Sequence, residues 1–235
     1  LRDASVFEVK VALENRFREI AERYAGKIPT IEVTNEMEWG DGVTAFYDEP
    51  DYVEWCFKTA EKYFPTNCLC INEWTGLPWG DHCRATDKYY AYIEANLLKG
   101  ARIDAIGMQF HMFFPREKEY VETRPFYDPQ NLYRHMDLYA NFGKPLQITE
   151  VTIPAYSYDA ADEEMQAEIL KRLYSIWFSY KNVEQIVYWN LADGYAAFAP
   201  QGDMTAGENY YHGGLLRFDL SKKPAYFALR DLIQK

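Results

Sequence analysis

Residues 30–36, TIEVTNE, and residues 146–150, LQITE, are two short strand-like runs that each end on a glutamate. Glycoside hydrolysis requires two carboxyl groups that flank one bond, and a parallel α/β barrel presents such groups from the carboxyl ends of separate strands. The terminal residues of the two runs, Glu36 and Glu150, are therefore candidates for a catalytic pair.

Helical and strand-like patterns alternate along the chain without a linker, which predicts α/β architecture with a parallel sheet. Apolar periodicity predicts six helices and five strands. The helices are expected at residues 5–25, 51–63, 86–99, 129–141, 162–180 and 224–233, and the strands at residues 30–35, 67–72, 103–111, 146–152 and 185–190. A closed barrel needs eight strands, so either three strands lie on another segment or the sheet is open.

The composition indicates one globular domain over residues 1–235, since 48% of the residues are hydrophobic and 26% are charged. A net charge of -11 argues against a nucleic-acid partner, because phosphate binding requires a basic surface. The chain has no apolar run of about 18 residues, so no membrane span is expected. Its first residues also lack the basic start and apolar stretch of a signal peptide.

The cysteines give no metal signal, because they form no CxxC pair and have no histidine at zinc spacing. We therefore expect no metal site, and glycoside hydrolysis by a pair of carboxyl groups needs no metal or organic cofactor. Buried thiols are the favoured interpretation, but a disulfide between Cys83 and Cys68 or Cys70 stays open. The four cysteines are Cys56, Cys68, Cys70 and Cys83.

Further motifs follow in a fixed order along the chain. VTNE ends at residue 36, LCINEW spans 69–74, GARIDAIGMQFH spans 100–111, ITE ends at 150, VYW spans 187–189, LLRFD spans 215–219 and KPAY spans 223–226. In this order the motifs resemble glycoside hydrolase family 10, the retaining endo-β-1,4-xylanases of clan A, over essentially the whole chain. The resemblance implies a TIM (β/α)8 barrel of which this chain is the C-terminal portion, carrying about strands four to eight with the first three absent.

The family's catalytic roles transfer to the two glutamates. The resemblance implies that Glu36 is the general acid/base and that Glu150 is the nucleophile. Retention requires the two carboxyl groups to lie about 5 to 5.5 Å apart. We expect hydrogen-bond donors to keep Glu150 ionised, and lower polarity with a nearby negative charge to keep Glu36 protonated until it donates.

The resemblance also implies supporting residues around the pair. Asn35 would hydrogen-bond the 2-hydroxyl of the attacked sugar, and Asn72 would bind substrate. Gln109 and His111 lie two apart on one strand and can therefore point to the same side. In the family this histidine donates to the nucleophile.

Two tryptophans match aromatic sugar-binding positions of the family. Trp189 corresponds to a wall beside the attacked sugar, and Trp74 to a platform on the leaving-group side. The family usually presents another tryptophan near the position of Ala197, so we expect Tyr195 or Phe198 to substitute for it. Other acidic residues are expected to be structural or to lie outside the first contacts with substrate: Glu32, Glu38, Glu73 and Asp193. A position near the rim of the barrel stays open for Glu38 and Glu73.

The implied function is hydrolysis of internal bonds in β-1,4-xylan or xylo-oligosaccharides with retention of configuration. The alternatives are another clan A β-glycanase, acting on glucan or mannan, and a non-catalytic carbohydrate-binding barrel fragment. The implied partner is the N-terminal portion of the same barrel, interrupted in some family members by carbohydrate-binding modules, and the chain alone is expected to be unstable and inactive. A polysaccharide substrate would place the protein outside the cytoplasm: secreted, periplasmic or at the cell surface.

Overall fold

The computed structural model describes residues 2–40 and 42–234, except for the side chain of Tyr120. All six predicted helices and five predicted strands are confirmed, and the last strand begins two residues earlier than expected. The helices are α1 Val6–Tyr24, α2 Tyr52–Tyr63, α3 Lys88–Leu98, α4 Pro129–Ala140, α5 Ala160–Ser179 and α6 Pro224–Ile233. The strands are β1 Thr30–Thr34, β2 Cys68–Ile71, β3 Ala105–His111, β4 Leu146–Thr152 and β5 Val183–Tyr188.

The sheet has the strand order β1-β2-β3-β4-β5. β1 pairs with β2 in parallel from Thr30 opposite Cys68, and β2 pairs with β3 in parallel through Cys70 opposite Ala105. Parallel strands joined by helices present their carboxyl ends at one edge of the sheet. The residues that follow β1 and β2 therefore emerge on the same edge.

Contacts divide the chain into two compact units. Unit 1 runs to Met108 and includes Tyr139–Leu146, and unit 2 consists of Gln109–Leu138 and the chain from Gln147 onward. In unit 1, β2 is almost fully buried, and the hydroxyl of Tyr89 on α3 donates to the carbonyls of Ile71 and Gly107 at 3.0 and 2.7 Å. These bonds fix α3 against β2 and β3.

In unit 2, α5 packs along α6. Trp177 of α5 is fully buried and lies edge-on to Phe110, with ring centroids 5.1 Å apart. Gln166 of the same helix donates to the carbonyl of Ile153 at 2.8 Å, just beyond β4. α5 therefore supports both the core and the segment that follows the strand.

The helix starts follow local sequence signals. Ser5 and Glu8 form a capping box at α1, in which the Ser5 hydroxyl accepts from the Glu8 amide at 3.3 Å and the Glu8 carboxylate accepts from the Ser5 amide at 2.8 Å. Pro224 occupies the first turn of α6. Backbone amides in the first turn have no hydrogen-bond partner within the helix, so the missing N–H of proline costs no hydrogen bond there.

The cysteines are thiols, with Cys56 and Cys70 buried, Cys68 half-buried and Cys83 exposed. The interpretation of all four cysteines as buried thiols is wrong for Cys83. This residue is exposed because it lies in the loop before α3 rather than on a core face. Within the described residues, no cluster of three or more His, Cys, Asp or Glu side chains could hold a metal ion. The same part of the chain contains no helix that is both long and apolar enough to cross a membrane.

Candidate functional site

The first group of candidate residues lies in unit 1, where β1 and β2 end. The amide of Asn72 donates to the carbonyl of Thr34 at 2.9 Å, and the Asn72 side chain donates to the side-chain oxygen of Asn35 at 3.0 Å. Glu36 follows with a left-handed backbone, φ 52°, and a half-buried side chain. The sequence-predicted residues Asn35, Glu36 and Asn72 are thus brought together.

Glu73, expected to be structural or to lie outside the first contacts with substrate, is fully buried at the same edge. Its carboxylate accepts from the amides of Met37 and Trp74, both at 2.9 Å. Burial raises the pKa of Glu73 to about 7, the negative charge of Glu36 adds to the rise, and the backbone amides of Trp74, Met37 and Glu38 oppose it. Glu73 is therefore an unusual carboxyl group beside a candidate catalytic residue.

Trp74 pairs with a second tryptophan that the sequence analysis missed. Trp39 lies in a short 3-10 helix, Met37–Gly40, and its ring centroid is 5.6 Å from that of Trp74 at an interplanar angle of 56°. The side chain of Trp39 is 63% exposed, whereas Trp74 is half-buried. The paired rings offer apolar surface of the kind that binds sugar faces.

The second group lies in unit 2, at the carboxyl end of β4. His111 Nε2 lies 3.0 Å from Glu150 Oε2, and His111 Nδ1 lies 2.9 Å from Thr152 Oγ1. An ionised carboxylate only accepts hydrogen bonds, so the Nε2 proton is directed at Glu150, and in the neutral imidazole Nδ1 then accepts from the Thr152 hydroxyl. This chain of contacts orients Glu150 through the imidazole.

Aromatic rings surround His111. Phe113 stacks on the imidazole at 4.6 Å with an interplanar angle of 9°, and Trp189 meets it edge-on at 5.8 Å. Gln109, two residues before His111 on β3, is buried. His111, Gln109, Glu150 and Trp189 all belong to unit 2.

Trp189 is held by a residue that the sequence analysis also missed. Its indole N–H donates to Glu208 Oε2 at 3.1 Å, and the Asn190 amide group donates to the same oxygen at 3.0 Å. Glu208 lies 19 residues further along the chain, in a short 3-10 helix, Gly207–Tyr211. No local pattern in the sequence signals this pairing.

The proposed substitutes for the family's second tryptophan differ from each other in their surroundings. Tyr195 stacks on Phe218 with ring centroids 5.2 Å apart, whereas Phe198 is 76% exposed.

Asp193, expected to be structural or to lie outside the first contacts with substrate, is buried beside Lys223.

The two candidate catalytic glutamates belong to different units, Glu36 to unit 1 and Glu150 to unit 2. The expected spacing of their carboxyl groups stays a prediction.

A family model described as Glycosyl hydrolase family 10 matches residues 2–232. The chain belongs to glycosyl hydrolase family 10. This family 10 chain has a TIM-barrel-like α/β fold with a parallel sheet, as in xylanase 10B from Thermotoga petrophila RKU-1, solved in complex with xylobiose. That structure aligns with a TM-score of 0.73 at 22% identity, over 99% of this chain and 68% of its own.

Two curated proteins are similar to this family 10 chain in sequence. Endo-1,4-beta-xylanase C of Paenibacillus barcinonensis is 28% identical over 93% of this chain and 21% of its own length. Endo-1,4-beta-xylanase B of Thermotoga neapolitana is 24% identical over 95% of this chain and 61% of its own length. The chain thus spans less than two thirds of either relative.

Proposed function

We propose that the protein containing this chain is a retaining endo-β-1,4-xylanase that acts on xylan, arabinoxylan and xylo-oligosaccharides. The observation that carries the proposal is the hydrogen bond of His111 to Glu150 at the carboxyl end of β4. A carboxylate fixed in one rotamer by an N–H donor is suited to attack an anomeric carbon. Family membership and the xylanase names of the relatives support this substrate class.

The reaction has two steps with Glu150 as nucleophile and Glu36 as acid/base. In the first step Glu150 forms a bond to the anomeric carbon while the glycosidic C–O bond breaks, and Glu36 gives its proton to the departing oxygen. In the second step Glu36 takes a proton from water, the water oxygen bonds to the anomeric carbon, and the bond to Glu150 breaks. Two inversions give net retention.

The remaining candidate residues bind or support the sugar. Asn35 and Asn72 contact the sugar at the Glu36 side, and Gln109 lies beside the catalytic pair. Trp189 forms a wall for the attacked sugar. Trp74, with Trp39 as its neighbour, provides a platform for the leaving group.

In this proposal β1 to β5 are the fourth to eighth strands of an eight-stranded barrel. The support is the order of the motifs and the number of strands, since five strands cannot close a barrel. The first three strands come from an N-terminal portion of the same barrel, with or without inserted carbohydrate-binding modules. The polymeric substrate places the protein outside the cytoplasm, in a secreted, periplasmic or cell-surface location that cell fractionation would check.

The proposal is tested by following xylan hydrolysis by proton NMR, with the natural full-length protein and with residues 1–235 alone. We expect the full-length protein to release β-configured reducing ends first, because the mechanism retains configuration. The short form is expected to be inactive. First release of α-configured ends would contradict the mechanism, and activity on mannan or β-glucan but not xylan would replace the substrate. Binding of xylan without hydrolysis would indicate the non-catalytic alternative.

Replacing Thr152 with valine tests the orientation of His111. The change keeps the side-chain shape but removes the hydroxyl bonded to Nδ1. One net hydrogen bond is worth about 1 kcal/mol, so we expect kcat to fall about fivefold to tenfold with a smaller change in KM. The matched control is Thr59→Val in α2, which is also buried and is expected to leave kcat unchanged. Equal kcat for Thr152→Val and wild type would contradict this role.

A further inference from the structure

Glu73 holds the backbone on the carboxyl-terminal side of Glu36. Its two oxygens accept from the amides of Met37 and Trp74 at 2.9 Å each. Met37 directly follows Glu36. The carboxyl group is fully buried, so its accepting oxygens are shielded from competing water.

Glu36 has a backbone conformation that needs such support. Its φ of 52° lies in the left-handed region, which a non-glycine residue adopts at an energetic cost. Immediately afterward the chain turns into the 3-10 helix, and the Trp39 amide donates to the Glu36 carbonyl at 3.0 Å. Without a partner for the buried Met37 amide, we expect this turn to relax and the Glu36 side chain to change direction.

The residue before Glu73 holds the other side of Glu36. The side chain of Asn72 donates to Asn35, and its amide donates to the carbonyl of Thr34. Two successive residues after β2 thus fix the backbone both before and after Glu36.

We propose that Glu73 is a positioning residue for Glu36: through the Met37 amide it directs the Glu36 carboxyl group at the departing glycosidic oxygen. The inference rests on the proposed function, because it assigns Glu73 a part in acid catalysis. It gives Glu73 a specific role within the expectation that this residue is structural or lies outside the first contacts with substrate. Glu73 itself does not contact substrate.

A carboxyl group is required at this position because two oxygens must accept from amides on two sides. Glutamine offers only one accepting oxygen, and its NH2 group would face an N–H donor. Glu36, Tyr52 on α2 and Tyr89 on α3 interact electrostatically with Glu73. Burial and the negative charge of Glu36 raise the pKa of Glu73, whereas the amide donors oppose the rise because they favour the ionised form, in which both oxygens accept.

The test is Glu73→Gln in the natural full-length protein, assayed with β-xylobiosides of different leaving groups. If the Glu36 carboxyl group points in the wrong direction, only substrates whose leaving oxygen must be protonated are hydrolysed more slowly. We therefore expect kcat/KM to fall about 10- to 100-fold on xylan and on aryl xylobiosides with poor leaving groups, but less than about threefold on 2,4-dinitrophenyl β-xylobioside. Glu73→Asp keeps the carboxylate on a side chain that is one methylene shorter. For this variant we expect an intermediate loss of kcat/KM with the same dependence on the leaving group.

The matched control is Asp87→Asn, because Asp87 is a second buried carboxyl group of unit 1. It accepts from the Tyr90 amide at 2.6 Å and the Tyr139 hydroxyl at 2.9 Å at the start of α3. This variant is expected to lose stability without any leaving-group dependence. Equal losses on all leaving groups in both Glu73 variants, with an active wild type, would overturn the positioning role alone. An inactive wild type on every xyloside would overturn the proposed function and this inference with it.

Discussion

Glu150→Ala is expected to lower kcat/KM on xylan by about 10⁴-fold or more, because no covalent glycosyl-enzyme can form without the nucleophile. The side chain is 14% exposed and its carboxylate lies 3.0 Å from His111 Nε2, so its removal opens a small cavity beside the imidazole rather than in the core. Thermal unfolding of the variant is therefore expected to stay close to that of wild type. Initial rates of reducing-sugar release give the measurement.

The cavity left by Glu150→Ala allows a second measurement on the same variant. Azide can take the place of the carboxylate and attack the anomeric carbon of an activated aryl β-xylobioside, forming a C–N bond as the phenolate departs. A single displacement inverts configuration, so the expected product is the α-glycosyl azide. The control is Glu168→Ala on the exposed face of α5, which is expected to keep wild-type activity and to give no azide product. A Glu150→Ala variant with more than about a tenth of wild-type activity would contradict the assignment.

The strands and their terminal glutamates could be predicted from sequence because both signals are local. Apolar runs bounded by turn residues predicted β1 and β4 within a residue of their observed ends, and Glu36 and Glu150 lie at or near those ends. The last strand runs from Val183 to Tyr188, two residues earlier at both ends than the expected residues 185–190. Trp189 instead follows the strand, with its amide bonded to the Val151 carbonyl at 2.9 Å.

The supporting residues could not be predicted, because each acts on a residue distant in sequence. Glu73 reaches Met37 across 36 positions, and Glu208 reaches Trp189 across 19. Sequence spacing sets the face of a strand on which a side chain lies, but the direction of a loop side chain depends on tertiary packing. Catalytic roles came from the resemblance to the family, whereas these contacts came only from the structure.

Lys223→Met is expected to destabilise unit 2 by about 3–5 kcal/mol, because it leaves a buried carboxylate without its cation. Lys223 and Asp193 both have fully buried side chains, with Nζ 3.2 Å from Asp193 Oδ2. Lys223 Nζ also donates to the His212 carbonyl at 2.7 Å, and Asp193 Oδ1 accepts from the Gly214 amide at 2.7 Å. The pair therefore joins the loop after β5 to the start of α6.

Burial works against both charges of this pair. It lowers the pKa of Lys223 and raises the pKa of Asp193, and in each case it outweighs the stabilising charge of the partner. The desolvation of two ions is thus offset only while both are present and hydrogen-bonded. Methionine retains most of the lysine stem, so the expected loss comes from the unpaired carboxylate rather than from a cavity.

Denaturant unfolding of single and double variants separates these contributions. The double variant Lys223→Met with Asp193→Asn removes both charges and leaves the amide oxygen to accept from Gly214, so it is expected to recover most of the lost stability. Lys171→Met removes an exposed lysine paired with Glu168 on α5 and is expected to change stability by less than about 0.5 kcal/mol. If the double variant were as unstable as Lys223→Met alone, the loss would instead arise from the bond to the His212 carbonyl. In that case the lysine would stabilise the fold as a hydrogen-bond donor to the loop and not as a counterion.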